Sequence, residues 1–216
     1  MDNLIYTLFV CTVAPLILML LLLQKRSKLI VSYMIIGIFV SLFVSELNTI
    51  LLGLFNDDML YVTTAITPIS EEIAKAFPVL IFAVLFSNDR DKLLTIAFAA
   101  GIGFAMFENM VILVQNIESV SIGWAVIRGF STALMHGVCT SAVGYGMSFV
   151  RKKKKLFYCG TFALLAMSSI YHGIFNMLVQ SEYKYFGFIL PAVTYIPIVI
   201  QVFRNRLLNN KSAVTG

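Results

Sequence analysis

Apolar residues in this chain gather into seven stretches of about twenty residues or more, at approximately 4–23, 29–54, 62–86, 93–115, 122–150, 156–180 and 185–203. Each is long enough for an α-helix, rising about 1.5 Å per residue, to cross a hydrocarbon core of roughly 30 Å. None alternates with the period of two that a barrel strand requires. A water-soluble globule is ruled out by the supply of polar surface: 59% of residues are hydrophobic, 12% are charged, and the mean hydropathy is +0.90. The expected fold is therefore all-α, a polytopic transmembrane bundle of about seven spans. Gaps between the stretches are short and carry no linker, repeat or low-complexity run, so residues 1–216 read as one integral membrane domain.

Basic loops stay on the cytoplasmic side of a membrane, and every loop here gives the same answer. Lys25, Arg26 and Lys28 follow the first stretch, Arg90 and Lys92 the third, Arg151 to Lys155 the fifth, and Arg204, Arg206 and Lys211 the seventh. The alternate gaps hold Asp57, Asp58, Glu118 and Glu182, with Lys184 their only base. This orients the amino terminus outside and the carboxyl terminus in the cytoplasm. It also disposes of nucleic acid as a partner: the net charge of +5 sits at helix ends, where it sets topology, and the run Arg151 to Lys155 suits anionic lipid heads. The first stretch reads as a retained helix rather than a signal peptide, because its positive charges follow the apolar run and no small-residue cleavage site comes after it. Cys11, Cys139 and Cys159 show no CxxC spacing and are assigned no role.

Ionisable residues inside the spans are the exceptions: Glu46, Glu71, Glu72, Lys75, Glu108, Arg128, His136 and His172. An ionised side chain at the bilayer centre costs about 2.5–3.5 kcal/mol on insertion scales, and such residues usually face the bundle interior and mark a functional pathway. Counting along the helices places Glu71 and Glu72 about nine residues from the outer surface, Glu108 about seven, and His172 and Glu46 about eight. His136 lies a turn or two deeper and Arg128 a little shallower. Residues four apart share a helix face, which pairs Glu71 with Lys75, Phe104 with Glu108, and His172 with Asn176. Carboxylates and imidazoles at one depth are the inventory of a hydrolytic site. They either hold a metal with an open water position or let a glutamate activate water beside a histidine.

The strings Glu71-Glu72-Ile73-Ala74-Lys75, Gly103-Phe104-Ala105-Met106-Phe107-Glu108-Asn109, Met135-His136-Gly137 and His172-Gly173-Ile174-Phe175-Asn176 resemble, in order and on successive helices, the motifs of the PrsW family of intramembrane proteases. The motif-bearing core runs over about 65–180. The resemblance implies a protease of the bacterial cell membrane that makes the first, site-1 cut in a membrane-anchored anti-sigma factor, leading to release of a stress sigma factor. It carries catalytic roles onto Glu71, Glu72, Glu108, His136 and His172, with Lys75 as the basic residue of the first motif; Asn176 joins them as a catalytic candidate, and Arg128 and Phe104 stand in support on the residue reading. A divalent metal such as zinc would then fall to His136, His172, Glu108 and Glu72. In one place the chain departs from the family's pattern, whose last motif ends in aspartate where Asn176 stands here. Asparagine at that point is similar to the distantly related CAAX prenyl endopeptidase (Abi) family, in which glutamate and histidine activate water and an asparagine stabilises the oxyanion, making Asn176 an amide donor.

Plainer readings stand beside these. Glu71 and Glu72 could form a structural salt bridge with Lys75 or Arg128, and His136 could simply bond a neighbouring helix. Glu46 and Asn48 fall outside the motifs and read as interhelical glue, Arg128 as a neutraliser of the carboxylate layer, and Gly101, Gly103 and Phe104 as packing residues. Two other functions use the same residue types. A proton-coupled transporter or channel would want the acids strung across the membrane and an inverted repeat, and neither is evident. A scaffold that inherited the motifs without the activity is the other.

Overall fold

The computed structural model describes residues 2–118, 120–197 and 200, and no strand occurs among them. Helix α1 is Asp2–Leu20, α2 is Lys25–Leu54, α4 is Arg90–Gln115, α5 is Ile122–Met147 and α6 is Lys154–Val179. Between α2 and α4, α3 runs without a break through Met59–Tyr61, a π-helical turn at Val62–Ile66, and Thr67–Leu85. A further helix, α7, covers 184–197. The expected span 185–203 passes out of the described residues at 198–199 and 201–203, as do Arg204, Arg206 and Lys211.

Three of these helices, α2, α4 and α6, are long and apolar enough to cross a membrane by composition alone. Helix α3 falls short of that measure because Glu71, Glu72 and Lys75 interrupt its apolar run. The distribution of side chains is inverted relative to a soluble protein. Phe39, Phe43, Phe77, Phe130, Phe162 and Ile170 face outward, while Glu72, Lys75, His136 and His172 are almost completely buried. Lipid as solvent accounts for both halves of that pattern.

Helix α4 is the axle. It packs along α2 on one side and α5 on the other, α5 packs on α6, and α3 lies across the middle touching α2, α4, α5 and α6. Small residues set these crossings. A Cβ added at Gly103 would run into the backbone of Met34 on α2, and one at Gly101 into the carbonyl of His136 on α5. Both glycines therefore act through close backbone approach, the main device for packing helices where no hydrophobic force separates them from lipid. Gly103→Val should destabilise the bundle by about 1–3 kcal/mol, the usual cost of overpacking, seen as a lowered melting temperature of the detergent-solubilised protein.

The π-helical turn has a local cause. Pro68 has no N–H to give the carbonyl of Thr64 one turn back, and Gly173 on α6 presses against that same carbonyl, where a Cβ would not fit. The carbonyl of Thr63 instead accepts from the Asn176 side chain at 2.9 Å. Irregular turns of this kind frequently mark functional sites in helices, and this one lies a turn before Glu71.

Candidate active site

Five helices deliver the buried polar groups to one place. Helix α2 supplies Asn48, α3 supplies Glu71, Glu72 and Lys75, α4 supplies Phe104 and Glu108, α5 supplies Arg128 and His136, and α6 supplies His172 and Asn176. Sequence reasoning expected a common layer with His136 below it. The structure gives the site two layers, since Lys75 lies one turn further along α3 than Glu71 and meets His136 there.

Each imidazole is held by its own carboxylate. His172 Nδ1 donates to Glu72 Oε1 at 3.1 Å, which leaves the lone pair on Nε2. His136 Nε2 lies 2.7 Å from Glu108 Oε2 and its Nδ1 lies 2.5 Å from Lys75 Nζ. An ammonium has three donors and no acceptor, so Nδ1 accepts from Lys75 and the ring proton resides on Nε2, directed at Glu108. The two rings stand edge to face with centroids 4.8 Å apart. In this arrangement a carboxylate fixes the tautomer and orientation of each histidine, as at many metal sites.

Glu71 completes the group. Its Oε1 accepts from Asn48 Nδ2 at 3.2 Å, and Ser70 Oγ in turn donates to Asn48 Oδ1 at 3.2 Å. Its Oε2 is buried without a hydrogen-bond partner and faces His172 Nε2 at 3.7 Å. A buried carboxylate oxygen left unbonded is costly unless something positive occupies the space before it. Ligand atoms of Glu71, His136 and His172 all lie within 4.8 Å of one another. Two ligands of one tetrahedral zinc, with bonds of about 2.0–2.2 Å, are separated by roughly 3.3–3.5 Å, so the three donors have the right chemistry for a small divalent ion and would draw closer together to hold it.

The positive groups are placed to balance the carboxylates. Lys75 Nζ is 2.6 Å from Glu72 Oε1 and 4.6 Å from the centre of the Phe104 ring, whose face it covers. Phe104 also stacks at a tilt on His136, 4.9 Å between centroids, and so forms the floor beneath both. Arg128 reaches Glu108 Oε1 at 3.5 Å and sits over the Trp124 ring. The structural salt bridges and the site are thus the same set of residues. A cavity of about 700 Å³ opens beside them, lined by Asn48, Glu71, Glu108, Arg128 and Asn176 and reaching Gln115 and Gln180 at the ends of α4 and α6. Glu72, His136 and His172 lie behind that wall.

The structure thus brings together Glu71, Glu72, Lys75, Phe104, Glu108, Arg128, His136 and His172. Asn176 stands on the cavity wall with one amide N–H given to Thr63. Glu46 lies apart, accepting from Tyr6 of α1 at 2.9 Å, which suits interhelical glue. Asn48 is the residue that sequence reasoning left outside: it sits within no motif, yet holds Glu71 in place. Partners of this kind commonly contribute 10–100-fold to metal affinity or activity. Asn48→Ala should therefore weaken both by about that factor, measured as zinc affinity and cleavage rate of the purified protein.

A buried carboxylate–imidazole donor set thus lies inside an apolar helical bundle, with ligand atoms of Glu71, His136 and His172 near enough to one another to hold a metal ion. The family model described as PrsW family intramembrane metalloprotease matches residues 25–202. The chain belongs to that family, and it is a membrane peptidase that acts on membrane-protein substrates. No curated protein and no solved structure matches the chain.

Proposed function

We propose that this protein is a seven-span, multi-pass protease of the bacterial cytoplasmic membrane that makes the first cut in a membrane-anchored anti-sigma factor. Its single domain, with the motif core at about 65–180, has its amino terminus outside. The reading rests on one observation: two histidines, each oriented by its own carboxylate, converge with the unbonded Oε2 of Glu71 beside a cavity that reaches the ends of α4 and α6. In the orientation given by the basic loops, those ends face the exterior, where a site-1 cut is made.

A zinc ion, when bound, would supply Lewis-acid polarisation of the scissile carbonyl and an acidified water. His136 through Nδ1, His172 through Nε2 and Glu71 through Oε2 would hold it. Glu72 then has two tasks. Its Oε1 keeps His172 in the correct tautomer, and its Oε2, buried without a hydrogen-bond partner, takes the proton from the attacking water. Glu108 orients His136, and Arg128 neutralises Glu108. Asn176 spends one of its two amide N–H donors on Thr63 and offers the other to the developing oxyanion.

The test is cleavage in a bacterial membrane of a co-expressed single-span anti-sigma factor. A shortened product in the presence of the wild-type protein, lost with His172→Ala at equal expression, is the expected result. Undiminished cleavage with His172→Ala would overturn the reading, and proton flux in proteoliposomes without proteolysis would replace it with transport.

A further inference from the structure

We propose that Lys75 is a built-in counter-cation that competes with the metal for His136, so that the site loads only when Lys75 moves off the imidazole. The proposal rests on the metal reading above and deepens it. Of the three groups that would hold the ion, His172 Nε2 and Glu71 Oε2 face each other across open ligand positions, whereas His136 Nδ1 is taken by Lys75 Nζ at 2.5 Å. The conflict does not depend on which nitrogen binds. If Nδ1 is the ligand, its lone pair cannot serve both an ion and an ammonium. If Nε2 is the ligand, neutral imidazole carries its proton on Nδ1 and points that N–H at an ammonium, which has no acceptor to offer. Either way Lys75 leaves.

The surroundings give Lys75 somewhere to go. It is completely buried between Glu72, His136 and the Phe104 face. A swing of the ammonium off the imidazole that keeps the 2.6 Å contact it already makes with Glu72 Oε1 leaves its charge paired while releasing His136. Lys75 on Glu72 and Arg128 on Glu108 give two of the three carboxylates a cation from the chain itself, which lowers the cost of holding them in an apolar setting. Lys75 is thus a positioning residue for the metal-free state and an obstacle to the loaded one.

The experiment is zinc affinity of the full-length protein in lipid nanodiscs, by competition with a chromophoric chelator. Lys75→Gln and Lys75→Met should bind zinc at least tenfold tighter than wild type, while Lys75→Arg, which keeps the charge, should not. In a His136→Ala background the gain from Lys75→Gln should fall below twofold. Equal or weaker binding by both neutral variants overturns the proposal, as does a gain that survives intact without His136, which would mean general charge repulsion. Wild-type protein gives a second readout should the neutral variants fail to fold. The chain has only two histidines, and on zinc loading nitrogen-15 spectra should show both rings metal-bound; a ring of His136 left unperturbed would refute the competition. The two readings fail separately. Unchanged zinc affinity in His172→Ala removes the site itself, whereas loss there with no gain at Lys75 removes only the competition.

Discussion

Glu71→Ala and His172→Ala should each abolish zinc binding and proteolysis together, with the helical bundle still assembled. Both residues offer an atom to the same small space, Glu71 Oε2 and His172 Nε2 at 3.7 Å, and that oxygen makes no other bond. Removing either leaves too few ligands to hold an ion against water. The loss of an acidified nucleophile and a polarised carbonyl is several kcal/mol of transition-state stabilisation, or roughly 10³-fold in rate at about 1.4 kcal/mol per tenfold. The check is paired: metal content by mass spectrometry and cleavage of a reconstituted single-span substrate. Cleavage surviving without zinc in these variants would point to a glutamate-activated water instead.

Glu72→Gln separates proton transfer from metal binding. The amide keeps an oxygen near Lys75 and His172 but cannot take a proton, so single-turnover cleavage at saturating zinc should fall by about 10²–10⁴-fold. Zinc affinity should fall by only about 10–100-fold, the scale for losing an orienting partner. Equal activity to wild type at saturating zinc would remove Glu72 from the proton path. The contrast between the two neighbouring glutamates follows from their geometry. They project about 100° apart on α3, which aims Glu71 at the cavity and His172 Nε2, and Glu72 at Lys75 and His172 Nδ1.

That rotation also explains what the sequence could and could not convey. The apolar stretches made a membrane helix bundle legible, because lipid demands long runs of one character, and the ordered motifs made the interior-facing faces legible, because ionisable residues are kept from lipid. Which atom of Glu71 or Glu72 meets which nitrogen was not legible: it depends on crossing angles set by backbone contacts such as Gly101 against His136. A ligand set of Glu72, Glu108 and two histidines was the sequence expectation, whereas the atoms that converge are those of Glu71, His136 and His172. Asn48 reads from sequence only as interhelical glue, with no link to Glu71, for a related reason. Its partner lies on another helix, 23 residues along the chain, and no local pattern records that meeting. The π-helical turn, by contrast, left a trace in Pro68 and Gly173, although neither residue alone announces it.

The central claim is that two imidazoles and a carboxylate from separate helices meet around one ion. X-ray absorption at the zinc edge on the loaded protein tests it most directly. Two imidazole nitrogens with oxygen at about 2.0–2.2 Å are expected, reduced to one imidazole by His136→Ala and lost together with the ion in His172→Ala. An all-oxygen shell, or an unaltered spectrum in both variants, would contradict it.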